Sequence, residues 1–468
     1  MKKYLFFAAA AALLTACSSE ELATAPKDAQ AQNQAISFDV YTQRAVTRAG
    51  LPGNNTDAYG FTTAKMETEG FGVFGYYTDN SDYDPAKSTP NFMYNQKVIK
   101  GAFGTTTAEW KYEPAKYWPN EFGDAAASDE VDKLTFFAYA PWVEVDVTNG
   151  VPVGATEDEI NITALSKNSA TGDPIVKYIV DTNPATSVDL CWGVAADASS
   201  YTPIATGGSA PAAGDNFENL VKEDQAANGK INWLFKHALA QLNVKVIMNV
   251  DEATPTDAAT NLVDDKTKVC IREISLGGFL MKGALNLNSE DGKGDDAEPN
   301  WLAYDGATEA VYEGPVTFYD GFKDGKELTE NNVQKNEKPT GLNPKLIAGA
   351  SIPTDAFVNL WDGAADADEP IYVIPTGEPM TCSIVYDVDT EDANLTGILS
   401  DGKTHGSSVE NNISYVNGTS ENVFDAIEAG KSYEVKIYIG LTSVKFEAEV
   451  KDWDTTPGSV DVELPENN

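Results

Sequence analysis

Strand periodicity runs through this chain almost to the exclusion of helical periodicity. Phe71-Gly72-Val73-Phe74-Gly75-Tyr76-Tyr77, Leu134-Thr135-Phe136-Phe137-Ala138-Tyr139-Ala140 and Ile175-Val176-Lys177-Tyr178-Ile179-Val180 are β-branched and aromatic runs bounded by turn formers, the signature of strands. Leu242-Asn243-Val244-Lys245-Val246 alternates apolar with polar, as do Tyr433 to Ile439 and Val444 to Val450. Strict alternation implies one buried and one wet face, as in antiparallel sheets stacked into sandwiches. Gly/Asp/Asn/Ala-rich stretches at 149–172, 194–230 and 288–345 read as loops, with 194–230 the best linker candidate because strand signals stop before it and resume after it. Short helical pieces such as Asn422 to Ala429 complete the expectation. The residues after position 48, in a chain of 468, exceed what one hydrophobic core usually serves. The expected fold is therefore all-β, with two tandem antiparallel β-sandwich domains, long loops and few short helices.

The first 48 residues read as a processing programme. Lys2 and Lys3 precede an apolar run from Tyr4 to Ala12, too short to span a bilayer core that needs about 20 apolar residues. A positive start, a short apolar run and small residues before a cut describe an export signal. Leu14-Thr15-Ala16-Cys17 matches the bacterial lipobox, so Cys17 is expected to become a diacylated N-terminus. Residues 1–16 are then a lipoprotein signal peptide, and Ser18-Ser19-Glu20-Glu21 resembles an acidic tag for surface delivery. The chain has three arginines, and Arg44 and Arg48 lie just beyond this leader. Cutting after Arg48, with Ala49 as the new N-terminus, would free the body from its lipid; Arg44 is the second choice. Residues 17–48 thus form a propeptide, 49–230 the first β-sandwich domain and 231–468 the second.

The net charge is −39, and segment 1–48 carries five positive and four negative side chains, so the cut body stands at −40. Such a surface repels phosphate backbones and anionic lipid, which argues against nucleic-acid binding and against any membrane contact except through lipid on Cys17 before cleavage. Cys191, Cys270 and Cys382 are too few and scattered for a disulfide framework or a metal knuckle, and read as buried small hydrophobes.

Catalytic signals are absent. Of the two histidines, His237 lies in a strand-like segment, where a packed and hydrogen-bonded role is expected, and His405 sits in a turn. No glycine loop precedes a helix, and no paired metal-ligand spacing occurs. The acidic pieces Ser289 to Asp296 and Asp362 to Glu369 lack the ligand order of an EF-hand and read as solvated loops. No catalytic residue, cofactor or metal is expected, and the chain is not read as an enzyme.

An ordered set of motifs carries a family resemblance. Tyr117-Trp118-Pro119 and Leu134 to Pro141 resemble the N-terminal domain of the fimbrillins, the lipoprotein-derived subunits of type V pili. Asp189-Leu190-Cys191-Trp192-Gly193 and Phe235-Lys236-His237-Ala238-Leu239-Ala240-Gln241 resemble that family's end-of-domain and interdomain strands. Ala429-Gly430-Lys431-Ser432-Tyr433-Glu434-Val435 through Trp453 resembles its C-terminal strand pair. The resemblance implies two transthyretin-like domains and removal of an N-terminal segment by an Arg-specific protease after lipid-mediated export. It further implies an outer-membrane lipoprotein precursor that ends in a surface fimbrium.

The residues give that cut a physical meaning. Ile36-Ser37-Phe38-Asp39-Val40 has the period of one strand, with Ile36, Phe38 and Val40 facing a core. Its release would leave unpaired backbone groups. Val460-Asp461-Val462-Glu463-Leu464 has the same period and length, so Val460, Val462 and Leu464 of a neighbour could restore the ladder by strand addition. A head-to-tail contact of this kind does not close and builds a filament. The expected role is a fimbrial subunit for adhesion and biofilm formation, more stalk than tip. Its expected partners are other copies of itself, accessory pilins, the maturation protease and host or bacterial surface receptors. The alternative is a glycan-binding surface lipoprotein of a nutrient-uptake system, suggested by eight tryptophans; Trp118, Trp142, Trp192 and Trp453 fall beside strand motifs, where packing is the commoner fate.

Overall fold

A computed structural model describes residues 35–42, 63–101, 109–119, 132–155, 159–197, 212–213, 217–220, 230–249, 267–288, 298–320, 346–347, 358–361, 369–390, 409–415, 424–439 and 444–452. The protein is all-β, built as sandwiched sheets, and Thr63–Glu69 is the one helix among the described residues. None of the described helices is long and apolar enough to cross a membrane.

The first sheet runs, in spatial order, Ser37–Thr42, Lys230–His237, Cys191–Asp197, Leu134–Ala140, Phe71–Tyr77, Met93–Lys100 and Trp110–Lys111, with Ala212–Ala213 attached to Cys191–Asp197. The second is Asn300–Leu302, Lys282–Asn286, Ile175–Ile179 and Asn161–Leu165. The third runs Phe279–Leu280, Ile371–Pro375, Ala240–Asn249, Lys431–Ile439 and Val444–Asp452, and the fourth Val316–Asp320, Thr267–Leu276, Cys382–Thr390 and Val409–Tyr415.

The central strands of the first sheet, Phe71–Tyr77 and Leu134–Ala140, are buried on both faces, which is why they read as near-continuous apolar runs. In Phe71–Tyr77 the side chains of Phe71 and Val73 enter one core cluster, and those of Phe74 and Tyr76 enter the other. Leu134, Phe136 and Ala138 likewise oppose Phe137 and Tyr139. The larger cluster continues into the second sheet through Val176 and Tyr178, and into the third through Leu242, Val244 and Val435. The smaller collects Met66 of the helix, Tyr112, Trp118, Ile231, Trp233 and Phe235. Gly193 is required here, because a Cβ would stand 2.7 Å from the Trp233 ring.

Several details depart from the sequence expectations. The first and third sheets are mixed rather than purely antiparallel: Ser37–Thr42 runs parallel to Lys230–His237, and Ala240–Asn249 parallel to Lys431–Ile439. Alternation reports burial of one face and is blind to a partner's direction. The segment 194–230 joins two neighbouring antiparallel strands of one sheet, Cys191–Asp197 and Lys230–His237, so it does not link separate sheets. Pairing therefore crosses the expected boundary at 230/231, and so do the bonds of Lys282–Asn286 to Ile175–Ile179. Asn422 to Ala429 forms no helix among its described residues. Its backbone is committed elsewhere: Met380 and Gly377 donate to the carbonyls of Phe424 and Ile427, and the Glu428 amide donates to the Tyr433 hydroxyl at 2.8 Å.

The chain passes from the first sheet to the third through Ala238 and Leu239 alone, both fully buried. The Ala238 amide donates to Leu190 at 2.8 Å, the Trp301 indole donates to the Ala238 carbonyl at 3.0 Å, and Gly430 donates to Leu239 at 2.9 Å. The joint is a packed core element.

Candidate functional site

Ser37–Thr42 ends the first sheet. It lies in register with its inner neighbour from Ser37 opposite Lys230 to Thr42 opposite Phe235. Ile36 and Phe38 are each 2% exposed, and Val40 is half-buried against the same cluster. Phe38 meets Phe71 edge-on at 6.1 Å and Tyr112 at 5.4 Å between ring centroids. Burying Ile36 and Phe38 contributes roughly 1.5–3 kcal/mol each.

The start of this strand is clasped on its outer side. Ala35 bridges to Tyr117, the Ile36 amide donates to the Lys116 carbonyl at 2.9 Å, and the Tyr112 hydroxyl donates to the Ile36 carbonyl at 2.9 Å. Burial pushes the Tyr112 phenol up to about 12, so the donor keeps its proton at any physiological pH. Asp39 pairs with Lys230 at 3.0 Å. Both side chains are some two-fifths exposed, which limits that pair to about 1 kcal/mol or less.

Of the residues singled out in the sequence, Ile36, Phe38 and Val40 are thus brought together on one pocket. Cys17, Arg44, Arg48, Ala49, Val460, Val462 and Leu464 lie outside the described residues, as do His405 and both acidic pieces apart from Glu369. Sequence reasoning missed the clasp. Tyr112 and Lys116 carry no periodic signal linking them to a strand more than 70 positions earlier.

A second constellation was also missed. Asp189, Cys191 and His237 converge: His237 Nδ1 is 2.7 Å from Asp189 Oδ2 and 3.6 Å from Cys191 Sγ, and Sγ is 3.8 Å from the same carboxylate oxygen. The register sets Cys191 directly opposite His237, with Asp189 two residues earlier on the same side.

The tryptophans are engaged in packing. Trp118, Trp192, Trp233, Trp301 and Trp361 are buried, and Trp110 and Trp142 are partly covered, so no described indole stands out as an open platform.

No family model matches the chain, and no curated protein matches it significantly. Among solved structures, a fimbrial protein from Bacteroides vulgatus is 20% identical over 90% of this chain and 100% of its own, with a TM-score of 0.44. A fimbrilin from Porphyromonas gingivalis is 9% identical, covering 91% and 99% of the two chains, with a TM-score of 0.34. The tip fimbrial protein Mfa3 of Porphyromonas gingivalis, truncated at its C-terminus, is 8% identical over 90% and 99%, with a TM-score of 0.27. All three carry a fimbrial name.

Proposed function

We propose that this chain is the precursor of a fimbrial subunit, a structural and not a catalytic protein. One observation carries the reading. The strand that ends the first sheet is encoded before both Arg44 and Arg48, yet the side chains of Phe38 within it and of Ile36 just before it lie in the core. Cutting after Arg48 leaves that strand held by non-covalent contacts alone. Its departure uncovers the outer edge of Lys230–His237, a row of unpaired amides and carbonyls, beside a pocket lined by Phe71, Tyr112 and Phe235. An incoming strand with Val460, Val462 and Leu464 at alternate positions answers both needs, the ladder and the pocket. On this account Cys17 carries lipid during export to the outer membrane, and the uncut strand blocks premature polymerisation. The product is a head-to-tail surface filament for adhesion, in two tandem sandwich units per subunit. The tail 460–464 fits a stalk better than a tip.

The test treats purified, lipid-free precursor with an Arg-specific protease. A new N-terminus at Ala49 followed by ladders of oligomers is expected, with the ladders lost on deletion of 457–468. Stable monomer after the cut, or ladders indifferent to that deletion, would overturn the strand-exchange account.

A further inference from the structure

We propose that Asp189, Cys191 and His237 form a binding site for one transition-metal ion of the zinc class. Cys191 opens one strand and His237 closes its antiparallel neighbour, and the two are cross-strand partners. Side chains two apart share a face of an extended chain, which sets Asp189 beside them. One oxygen, one sulfur and one nitrogen donor then lie within 4.8 Å of one another.

The geometry distinguishes a ligand set from a nucleophile relay. A relay needs the thiol at one ring nitrogen and the carboxylate at the other. Here Sγ and Oδ2 both approach the same Nδ1, at 3.6 and 2.7 Å. The three atoms converge on a common point. Donors at about 2.0–2.3 Å from a tetrahedral ion stand roughly 3.3–3.7 Å apart. The two distances to sulfur, 3.6 and 3.8 Å, already have nearly that span. Only the Asp189–His237 separation must widen, by about half an ångström, as a metal replaces the proton between them.

The donor chemistry selects the ion. Calcium and magnesium take oxygen ligands, whereas thiolate with imidazole and carboxylate suits zinc and its neighbours. Binding releases the thiol proton to solvent and shifts the imidazole to its Nε2–H tautomer, so that thiolate and carboxylate neutralise a divalent cation and the neutral imidazole binds through Nδ1. A neutral assembly is what a buried position tolerates. The side chains of Asp189 and His237 are 2% and 9% exposed, so the imidazole edge marks the way in, and a fourth ligand position is left for water. The ion would sit next to the Ala238–Leu239 joint and tie two strands of the first sheet at the point where the chain leaves it.

The experiment uses the full chain after dialysis against a chelator, titrated with Zn²⁺ by calorimetry and with Co²⁺ by visible absorption. One ion per chain and a thiolate-to-cobalt charge-transfer band are expected. Both should persist in Cys17→Ala and Cys270→Ala and vanish in Cys191→Ala and His237→Gln. Absence of binding to the folded chain, or binding that survives Cys191→Ala, would overturn the proposal. Should the Cys191 and His237 variants fail to fold, the band in a folded variant carrying Cys17→Ala, Cys270→Ala and Cys382→Ala, whose remaining thiol is Cys191, decides: its presence supports the site and its absence refutes it.

Discussion

Phe38 stands edge-on to Phe71, their ring planes 84° apart, so a residue of the N-terminal segment completes the aromatic interior of the first sheet. Such pairs add about 0.5–1.5 kcal/mol beyond the area they bury. The strand is thus at once a terminal segment and a core component, which is the combination a removable plug requires.

Phe38→Ala should loosen this strand selectively. Truncating a buried phenylalanine costs about 3–5 kcal/mol, and here the loss falls on an element that is paired along its length to one neighbour and clasped on its outer side at its start. Hydrogen exchange should accelerate across Ile231 to Phe235 while the Ile175–Ile179 amides keep their protection. A uniform loss of protection in both would mean that the strand is integral to global folding.

Tyr112→Phe removes the hydroxyl that donates to the Ile36 carbonyl at 2.9 Å. Deleting one such bond typically costs about 1 kcal/mol. Denaturant unfolding of the uncut protein should report that loss, and after cleavage the freed segment should dissociate faster from the variant than from the wild type.

Gly193→Ala places a methyl 2.7 Å from Trp233 and 3.2 Å from the Ala138 Cβ. The indole is buried among Phe217 and Phe235 and has little room to retreat. Overpacking of this kind costs about 1–3 kcal/mol. A lowered melting temperature with a shifted Trp fluorescence spectrum is the expected result.

Glu434 sets an acid limit in the third sheet. Burial alone would raise its carboxyl, but Lys245 at 2.6 Å and Lys436 at 2.8 Å outweigh that and bring it down to about 2. A carboxyl whose folded pKa lies below its unfolded value binds fewer protons when folded. Its contribution, about 3 kcal/mol by linkage, is present above about pH 4.5 and is lost as pH falls toward 2. Stability of Glu434→Gln should fall less steeply than that of the wild type between those limits, while both share the slope from the other carboxylates.

Strand positions were legible because they are a local property. Phe71–Tyr77 and Leu134–Ala140 begin and end where turn formers bound the apolar runs, and Ile36, Phe38 and Val40 share a face as their period of two demands. Asn422 to Ala429 misled because its short apolar spacing fits a helix, whereas Phe424 and Ile427 are drawn into the core against Met380 and Glu378. The pocket clasp was invisible for a related reason. Nothing in the local chain says that Tyr112 will meet Ile36.

The amino-acid sequence by itself determined that this protein is built of strands, and which side chains of each strand share a face. Side-chain alternation and turn chemistry act over a few residues. Tertiary structure alone decided which strands pair, in which direction and in which register. It set Ser37–Thr42 parallel to a strand almost 200 residues later, ran two sheets across the expected domain boundary and brought Cys191 opposite His237. Those choices follow from burying both faces of the central strands of the first sheet at once, and only the assembled chain meets that requirement.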